Sequence, residues 1–156
     1  MAMRLHFKML TGEVHTLTVS PNHTMWEVKV LLERKMGCRR YHQKLAAEAG
    51  SGIDLRDASS VASCGLHSGD TLALLVKVEE PIPIFLRNDR GHLRAYQVMP
   101  SEAVADFKAR VQQQEHVQAG QYWLLYEGKP LENGSLADYG IAPEGTIYLK
   151  LRVRGG

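Results

Sequence analysis

The fold is decided by residues 16–37, TLTVSPNHTMWEVKVLLERKMG, which return in altered form at residues 95–116, AYQVMPSEAVADFKARVQQQEH. In both copies an alternating strand pattern leads through a polar turn into apolar residues at helical spacing. In the first copy Thr24 and Glu27 form the pattern of a capping box, and Gly37 is a typical helix stop. The stretch therefore predicts a strand followed by a helix, twice.

The repetition extends over nearly the whole chain. Gly12 matches Gly91 at an offset of 79 residues, whereas residues 71–74 match residues 146–149 at an offset of 75. The first copy therefore carries an insertion, and residues 46–52, AAEAGSG, have the composition of a lengthened loop. Because a unit of this length is too long for a solenoid repeat, the sequence predicts a small domain present twice.

The two copies have the same order of predicted elements. A hairpin is followed by a helix and then by short strands, the last of them at residues 72–76 and 147–151. The second helix carries Val104, Phe107 and Val111 on one face. This order predicts an α+β fold in which one helix covers a mixed sheet in each domain.

The boundary between the copies is predicted from composition. Residues 78–82, VEEPI, are short, charged and contain a proline, which has no backbone donor and suits a linker. We therefore predict a first domain at residues 1–77, a linker at 78–82 and a second domain at 83–156.

Composition excludes several classes of protein. The formal net charge of +2 provides no long-range field for nucleic acid or an anionic membrane, and no run of about 20 apolar residues predicts a membrane span. No conventional signal peptide is found, and Cys38 and Cys64 are too few for a disulfide-dense scaffold, which favours a reducing compartment. With no metal-ligand spacing, phosphate loop or nucleophile elbow, we expect no enzyme, no metal and no cofactor.

A basic cluster near residue 40 leaves an alternative open. Arg39, Arg40 and Lys44 are interleaved with Tyr41 and His42. Contact with nucleic acid or an acidic protein is one interpretation, and a solvated face is the interpretation we favour.

Several motifs in the second copy resemble ubiquitin. Residues 126–134, YEGKPLENG, and 136–141, LADYGI, are similar to its central turn and the loop that follows, and residues 151–156, LRVRGG, resemble its LRLRGG tail. Two diverged domains on a short linker with one such tail resemble the interferon-stimulated two-domain ubiquitin-like modifiers. The resemblance implies two tandem β-grasp domains.

The resemblance also implies a function in which the chain is the transferred group. An activating enzyme would use ATP and magnesium to adenylate Gly156 and would then capture it as a thioester. A conjugating enzyme and a ligase would pass it to a substrate lysine as an isopeptide bond, and deconjugating proteases, including viral papain-like and ovarian-tumour-type enzymes, would remove it. Interferon-induced antiviral defence, a cytoplasmic and nuclear location, and secretion without a conventional signal peptide are implied as well.

The residue types of the tail suit this chemistry. Gly155 and Gly156 have no Cβ, so the backbone can thread a narrow channel and leave the terminal carbonyl open to attack. The arginines offer donor forks for carboxylates of a partner, with apolar residues between them. The residues predicted for recognition by the activating enzyme and proteases are Leu151, Arg152, Val153 and Arg154. Two alternatives to a conjugation tail remain: a frayed basic terminus and an RNA-binding Arg-Gly-Gly segment.

The second copy has a candidate partner surface that the first lacks. If Tyr122 points inward, strand alternation places Trp123 and Leu125 on the outer face, where the first copy has Lys44 and Ala46. The predicted surface comprises Trp123, Leu125, Lys129, Pro130 and Glu132. The alternative is that Trp123 covers the core of its own domain.

The hydrophobic patch of ubiquitin is only partly retained. The resemblance maps it onto Asp89, Leu125 and Lys150, two of which are charged. This favours dedicated enzymes over general ubiquitin readers. Two other functions remain open: a non-covalent adaptor or secreted signalling protein, and a mimic that occupies the conjugation machinery without being transferred.

Overall fold

The chain forms two compact units, each with its own hydrophobic core. Unit 1 covers Met1–Glu79 and unit 2 covers Glu80–Gly156. The computed structural model describes residues 2–47 and 55–152. Most of the lengthened loop predicted at residues 46–52 therefore lies outside the described residues.

The described residues of unit 1 form a four-stranded mixed sheet covered by one helix. Its elements are β1 (Met3–Met9), β2 (Val14–Val19), α1 (Met25–Met36), β3 (Gln43–Ala47) and β4 (Thr71–Val76). The strand order is β2-β1-β4-β3, with β1 and β4 parallel and the other pairs antiparallel. The predicted hairpin, helix and last strand of the first copy are all present.

Helix α1 begins and ends where the sequence predicts. The Thr24 hydroxyl accepts a hydrogen bond from the Glu27 N–H, and the Glu27 carboxylate accepts one from the Thr24 N–H, which completes the capping box. Gly37, at φ 80°, ends the helix and donates its N–H to the Glu33 carbonyl. The face that covers the sheet buries Met25, Val28 and Leu32.

An ion pair closes the turn after α1. The Arg40 guanidinium donates to both carboxylate oxygens of Glu33, at 3.2 and 2.8 Å, and the Arg40 backbone N–H donates to one of them at 2.7 Å. The hydrogen bond from the Arg40 side chain is the main reason that the pKa of Glu33 lies below its usual value. The folded state therefore favours the charged carboxylate.

Replacement of this carboxylate is expected to change the pH dependence of stability. A lowered pKa stabilises the fold above the ordinary pKa of glutamate, and this contribution disappears as the pH falls through the folded-state value. Glu33→Gln should therefore cost about 1–2 kcal/mol at pH 7 and almost nothing near pH 3, measured by urea unfolding at each pH. Glu13→Gln, at an exposed turn carboxylate, is the control. An equal loss for Glu33→Gln at both pH values would contradict the assignment.

Unit 2 repeats the plan, with five strands among residues 80–152, the part of this unit that the structure describes. Its elements are β5 (Ile82–Arg87), β6 (Leu93–Val98), α2 (Val104–Glu115), β7 (Tyr122–Tyr126), β8 (Lys129–Pro130) and β9 (Thr146–Leu151). The strand order is β6-β5-β9-β7-β8, with β5 and β9 parallel. Both sheets are mixed and each is covered by one helix, so the predicted α+β class with two tandem β-grasp domains is confirmed.

The core of unit 2 lies between its sheet and α2. Val104, Phe107 and Val111 of α2 are fully buried, as their helical spacing predicts. The Phe107 ring meets the Tyr96 ring edge-to-face, with 5.5 Å between centroids. The single helix therefore closes the core along one face of the sheet.

The start of α2 differs from that of α1. Its N-cap is Ala103, which has no side-chain acceptor. The Val104 N–H donates to the Gly134 carbonyl at 2.8 Å, just as the Met25 N–H of α1 donates to the Ser59 carbonyl at 2.9 Å. The starts of the two helices therefore share a backbone cap from a distant loop, and α1 adds the threonine side-chain cap that alanine cannot provide in α2.

The predicted linker needs one correction. Ile82, which the composition places in the linker, is the first residue of β5 and pairs with Val98 of β6. The proline before it has no N–H to give to a sheet, but Ile82 itself can pair, so β5 begins at the last residue of the predicted linker.

Candidate functional site

The sheet of unit 2 presents an aromatic face on the side away from α2. Along β7, Tyr122, Leu124 and Tyr126 are buried, whereas Trp123 is 38% exposed and Leu125 is half-buried. Trp123 is absent from the buried cluster that forms the core of the unit. The alternation that the sequence predicts therefore directs Trp123 and Leu125 outward together.

Strand β9 adds an aromatic residue to this face. Lys150 lies directly opposite Trp123, and Tyr148 lies opposite Leu125. The Lys150 ammonium is 5.7 Å from the centre of the Tyr148 ring. Tyr148 is not among the predicted surface residues, although the same alternation directs it outward from its place next to the buried Ile147.

The base of the tail is held against Trp123. The Arg152 N–H donates to the Gln121 carbonyl at 2.9 Å, which extends the pairing of β9 with β7 by one step. The Arg152 guanidinium lies 3.8 Å from the centre of the Trp123 ring, a cation–π contact worth about 0.5–1 kcal/mol at an exposed site. Leu151 is exposed beside it. Of the predicted tail residues, Val153, Arg154, Gly155 and Gly156 lie outside the described residues.

The remaining predicted surface residues lie at and beyond β8. Pro130 is the pairing partner of Leu125, and Lys129 is the partner of Tyr126. Glu132 is exposed after β8, and its N–H donates to the Tyr139 hydroxyl at 3.0 Å. The fold therefore joins Pro130 to the aromatic face through Leu125, whereas Glu132 belongs to the loop held by Tyr139.

The face combines aromatic rings with basic side chains. Asp89 is exposed in the turn between β5 and β6, and Lys150 is exposed on β9. Arg87 of β5 lies opposite Tyr148. Aromatic rings and arginine are the residue types that anchor protein interfaces. The face therefore suits a protein partner with apolar groups and acidic side chains.

The matching face of unit 1 has different chemistry. Lys44 and Ala46 take the places of Trp123 and Leu125, with Lys44 exposed opposite Leu75. An ammonium and a methyl group cannot give the aromatic contacts available in unit 2.

The other candidates from the sequence give no second site. Cys38 and Cys64 form no disulfide, and burial, followed by the charge of Glu33, raises the pKa of the Cys38 thiol. In the basic cluster, Arg40 is engaged by Glu33. Within residues 2–47 and 55–152 there is no group of three His, Cys, Asp or Glu side chains able to hold a metal ion. Over the same ranges, helices of membrane-spanning length and hydropathy are absent.

Comparison with known proteins identifies the family. Residues 5–79 and 84–154 each match the ubiquitin family. The chain is 27% identical to human Ubiquitin D over 159 residues, an alignment that covers 97% of this chain and 94% of that protein. This similarity and the family match indicate a protein with two ubiquitin-like domains in tandem.

Two longer proteins also match. The chain is 25% identical to 2'-5'-oligoadenylate synthase-like protein 1 of Rattus norvegicus, over 89% of this chain and 28% of that protein. It is 25% identical to phosphatidylinositol 4-kinase gamma 2 of Arabidopsis thaliana, over 96% of this chain and 27% of that protein. The chain thus spans less than a third of either relative. With both of its halves matched to one family, the chain belongs to the ubiquitin family and carries two of its domains in tandem.

Proposed function

We propose that this protein is a covalent modifier of the interferon-stimulated two-domain class, joined through Gly156 to lysines of substrate proteins. The observation that carries the proposal is the base of the tail, where Arg152 is held by Gln121 and Trp123 ahead of Val153-Arg154-Gly155-Gly156. A tail with an ordered base loses less conformational freedom when a partner binds it. The two glycines then give the backbone access to a narrow channel.

The proposed reaction has four balanced steps. The Gly156 carboxylate attacks the α-phosphorus of ATP, which forms the acyl adenylate and releases pyrophosphate. A thiolate of the activating enzyme then attacks the acyl carbon and releases AMP. The thiolate of a conjugating enzyme displaces the first thiol, and a substrate lysine amine finally attacks the thioester, which forms the isopeptide bond and releases the thiol. The nucleophiles belong to the partners and the substrate, so this chain supplies the acyl group and the surface that they recognise.

The outer face of unit 2 supports recognition by dedicated partners. Trp123 and Tyr148 offer ring faces, while Asp89 and Lys150 place charges where an entirely apolar patch would be needed by a general ubiquitin reader. A partner that leaves those charges unpaired loses binding energy. The proposed partners are therefore an activating enzyme, a conjugating enzyme, a ligase and deconjugating proteases, host or viral, that are matched to this face.

A charging assay tests the proposal directly. The full chain is incubated with ATP, magnesium and an activating enzyme of this modifier class, then separated on gels with and without thiol. We expect an adduct that thiol removes and, in extracts from interferon-treated cells, a ladder of adducts that thiol does not remove. Binding to the activating enzyme without either adduct would overturn the proposal and would favour a mimic that occupies the conjugation machinery without being transferred. An absence of both binding and adducts would favour a non-covalent adaptor.

Trp123→Ala is expected to weaken binding to the deconjugating protease at least about tenfold. The substitution removes an exposed indole, the side chain most often found as an interface anchor, together with the stack that orders Arg152. The dissociation constant of the uncleaved protein for a catalytically inactive protease, measured by calorimetry, checks this.

The matched control is Lys44→Ala, the same position in unit 1. Binding should be unchanged by this variant, which should lower the unfolding free energy by no more than about 0.5 kcal/mol because Lys44 is exposed. Trp123→Ala also loses the stack on Arg152 and should cost about 1 kcal/mol. Equal affinity of Trp123→Ala and the unmodified protein would remove Trp123 from the partner surface.

The proposal extends to cellular context. The tandem domains and the LRVRGG tail resemble modifiers made in interferon-induced antiviral defence, which act in the cytoplasm and nucleus and are secreted without a conventional signal peptide. Induction of the protein by interferon, followed by fractionation of cells and medium, tests this part separately from the charging reaction.

A further inference from the structure

The open edge of the second sheet is formed by β6. In the neighbouring β5, the Phe85 N–H donates to the Gly145 carbonyl and the Pro83 carbonyl accepts from the Glu144 N–H. These two residues of β5 therefore direct their backbone groups away from β6. Because backbone groups alternate in direction along a strand, Ile84 between them pairs with β6.

The same alternation fixes which groups of β6 are open. Tyr96 lies opposite Ile84 and Arg94 lies opposite Leu86, so both are tied to β5. The backbone N–H and C=O groups of the intervening residues, Leu93, Ala95 and Gln97, consequently point out of the sheet.

This edge is only partly protected. Arg110 of α2 donates to the Gln97 carbonyl at 2.9 Å, but no hydrogen bond among the described residues reaches the outward groups of Ala95. The sequence of β6, LRAYQV, also lacks the lysine or proline that blunts many edge strands. In unit 1 the residue that corresponds to Ala95 is Thr16, and its carbonyl accepts a hydrogen bond from the Lys35 ammonium. The residue of unit 2 that corresponds to Lys35 is Gln114.

A cavity of 340 Å³ lies along this edge, lined by β6 and by Arg110, Gln113 and Gln114 of α2. Tyr96 lines it while only 6% exposed, and its hydroxyl is buried without a hydrogen-bond partner in the described chain. Burial raises the pKa of Tyr96, so the hydroxyl remains a donor. A buried hydroxyl without an acceptor is unfavourable, so an acceptor brought into the cavity would stabilise the complex.

The lining is rich in donors. The Arg94 Nε donates to Glu115 at 2.7 Å and the Arg110 Nη1 donates to Glu102 at 2.9 Å, which leaves further N–H groups on each guanidinium. On the opposite face of the same strand, Leu93 is 53% exposed and Ala95 is exposed. One side of the edge therefore favours carboxylates and the other favours apolar side chains.

We propose that the β6 edge binds an extended segment of a partner protein in which apolar and acidic residues alternate. The segment pairs with the outward N–H and C=O of Ala95 as an added strand. Directly opposite residues share a face of the sheet, so a carboxylate opposite Tyr96 enters the cavity and accepts from its hydroxyl. The residues before and after it pack over Leu93 and Ala95. Strands β5 and β9 separate this edge from Trp123, so the inference does not depend on the proposed conjugation.

The test is a titration of the isotope-labelled full chain with a capped nine-residue peptide of alternating valine and glutamate, followed by amide NMR. We expect saturable shifts at residues 93–98 and no such shifts with a peptide that has lysine in place of glutamate. Tyr96→Phe removes only the hydroxyl and should weaken binding about fivefold. Ala95→Pro removes the outward N–H, leaves the hydrogen bonds from β6 to β5 in place, and should abolish binding.

Thr18→Pro is the matched control, because Thr18 is an outward residue of the corresponding edge strand β2 in unit 1. It should leave the affinity unchanged. Tyr96→Phe keeps the test decisive if Ala95→Pro does not fold. The inference is overturned if the glutamate peptide gives no saturable shift at millimolar concentration, if the shifts lie elsewhere, or if Tyr96→Phe binds as tightly as the unmodified protein.

Discussion

A chain that ends at Gly155 is expected to form no thioester with its activating enzyme, even at saturating ATP. Loss of one residue withdraws the terminal carboxylate by up to about 3.3–3.6 Å, beyond the distance at which it can attack the α-phosphorus of ATP. Misplacement of a reacting group by about 1 Å already costs on the order of a hundredfold in rate. The amount of thiol-sensitive adduct formed in a single turnover is the measurement.

Two further variants separate position from chemistry. Gly156→Ala keeps the length but places a Cβ next to the reacting carbonyl, and should reduce the charging rate on the order of a hundredfold. Val153→Leu, the control, gives the tail the LRLRGG sequence to which it is similar and should charge at the unmodified rate. Normal charging of the chain that ends at Gly155 would contradict activation at Gly156.

Phe107→Ala is expected to destabilise unit 2 by about 3–5 kcal/mol. Phe107 is fully buried near the start of α2 and contacts the Tyr96 ring edge-to-face, so its removal leaves a cavity under the helix that covers the sheet. Because the two units have separate cores, a single unfolding curve would mix them. Hydrogen exchange of individual amides gives the free energy of each unit.

The controls for this prediction come from both units. Phe107→Leu retains most of the buried volume and should cost less than about 1.5 kcal/mol. Val28→Ala, at the matching position of α1, should reduce protection in unit 1 and leave β5 through β9 unchanged. A loss below about 1 kcal/mol for Phe107→Ala would show that Phe107 is not central to the core.

The secondary structure follows from local sequence in most of the chain. Alternation along residues 16–19 and the Thr24 to Glu27 capping box predict β2 and the start of α1, because both depend on residues only a few positions apart. The first N–H of each helix is different, since it is bound by a carbonyl distant in sequence: that of Ser59 in α1, and that of Gly134 in α2. A contact between residues 104 and 134 leaves no local pattern.

The burial of polar side chains is less evident from the sequence than the positions of helices and strands. Gln43 occupies an inward position of β3 and is completely buried, with its side-chain amide donating to the carbonyls of Lys29 and Cys38 at 2.9 Å. A glutamine at that position of a strand pattern suggests an exposed side chain, because amides are rarely buried without partners. Those partners are backbone carbonyls, which every residue has, so the sequence does not mark them.

The candidate partner surface is also predicted from the sequence only in part. Trp123 and Leu125 are assigned to the outer face by the two-residue period of β7, which depends only on strand geometry. The contact of Arg152 with the Trp123 ring and the bond from Arg152 to Gln121 depend on β9 lying beside β7. Pairing of distant strands therefore supplies the part of the site that holds the tail.

By itself the sequence determined the two copies, the order of their strands and helices, the outward direction of Trp123 and the chemistry of Gly155 and Gly156. Each depends on periodicity, an internal match or a residue type, and these are properties of a linear chain. The stack of Arg152 on Trp123, the bond from Val104 to Gly134 and the place of Tyr96 beside an open edge at β6 come from the folded arrangement. These arrangements depend on backbone groups and on neighbours brought together by strand order, and folding is the physical step that places them in contact.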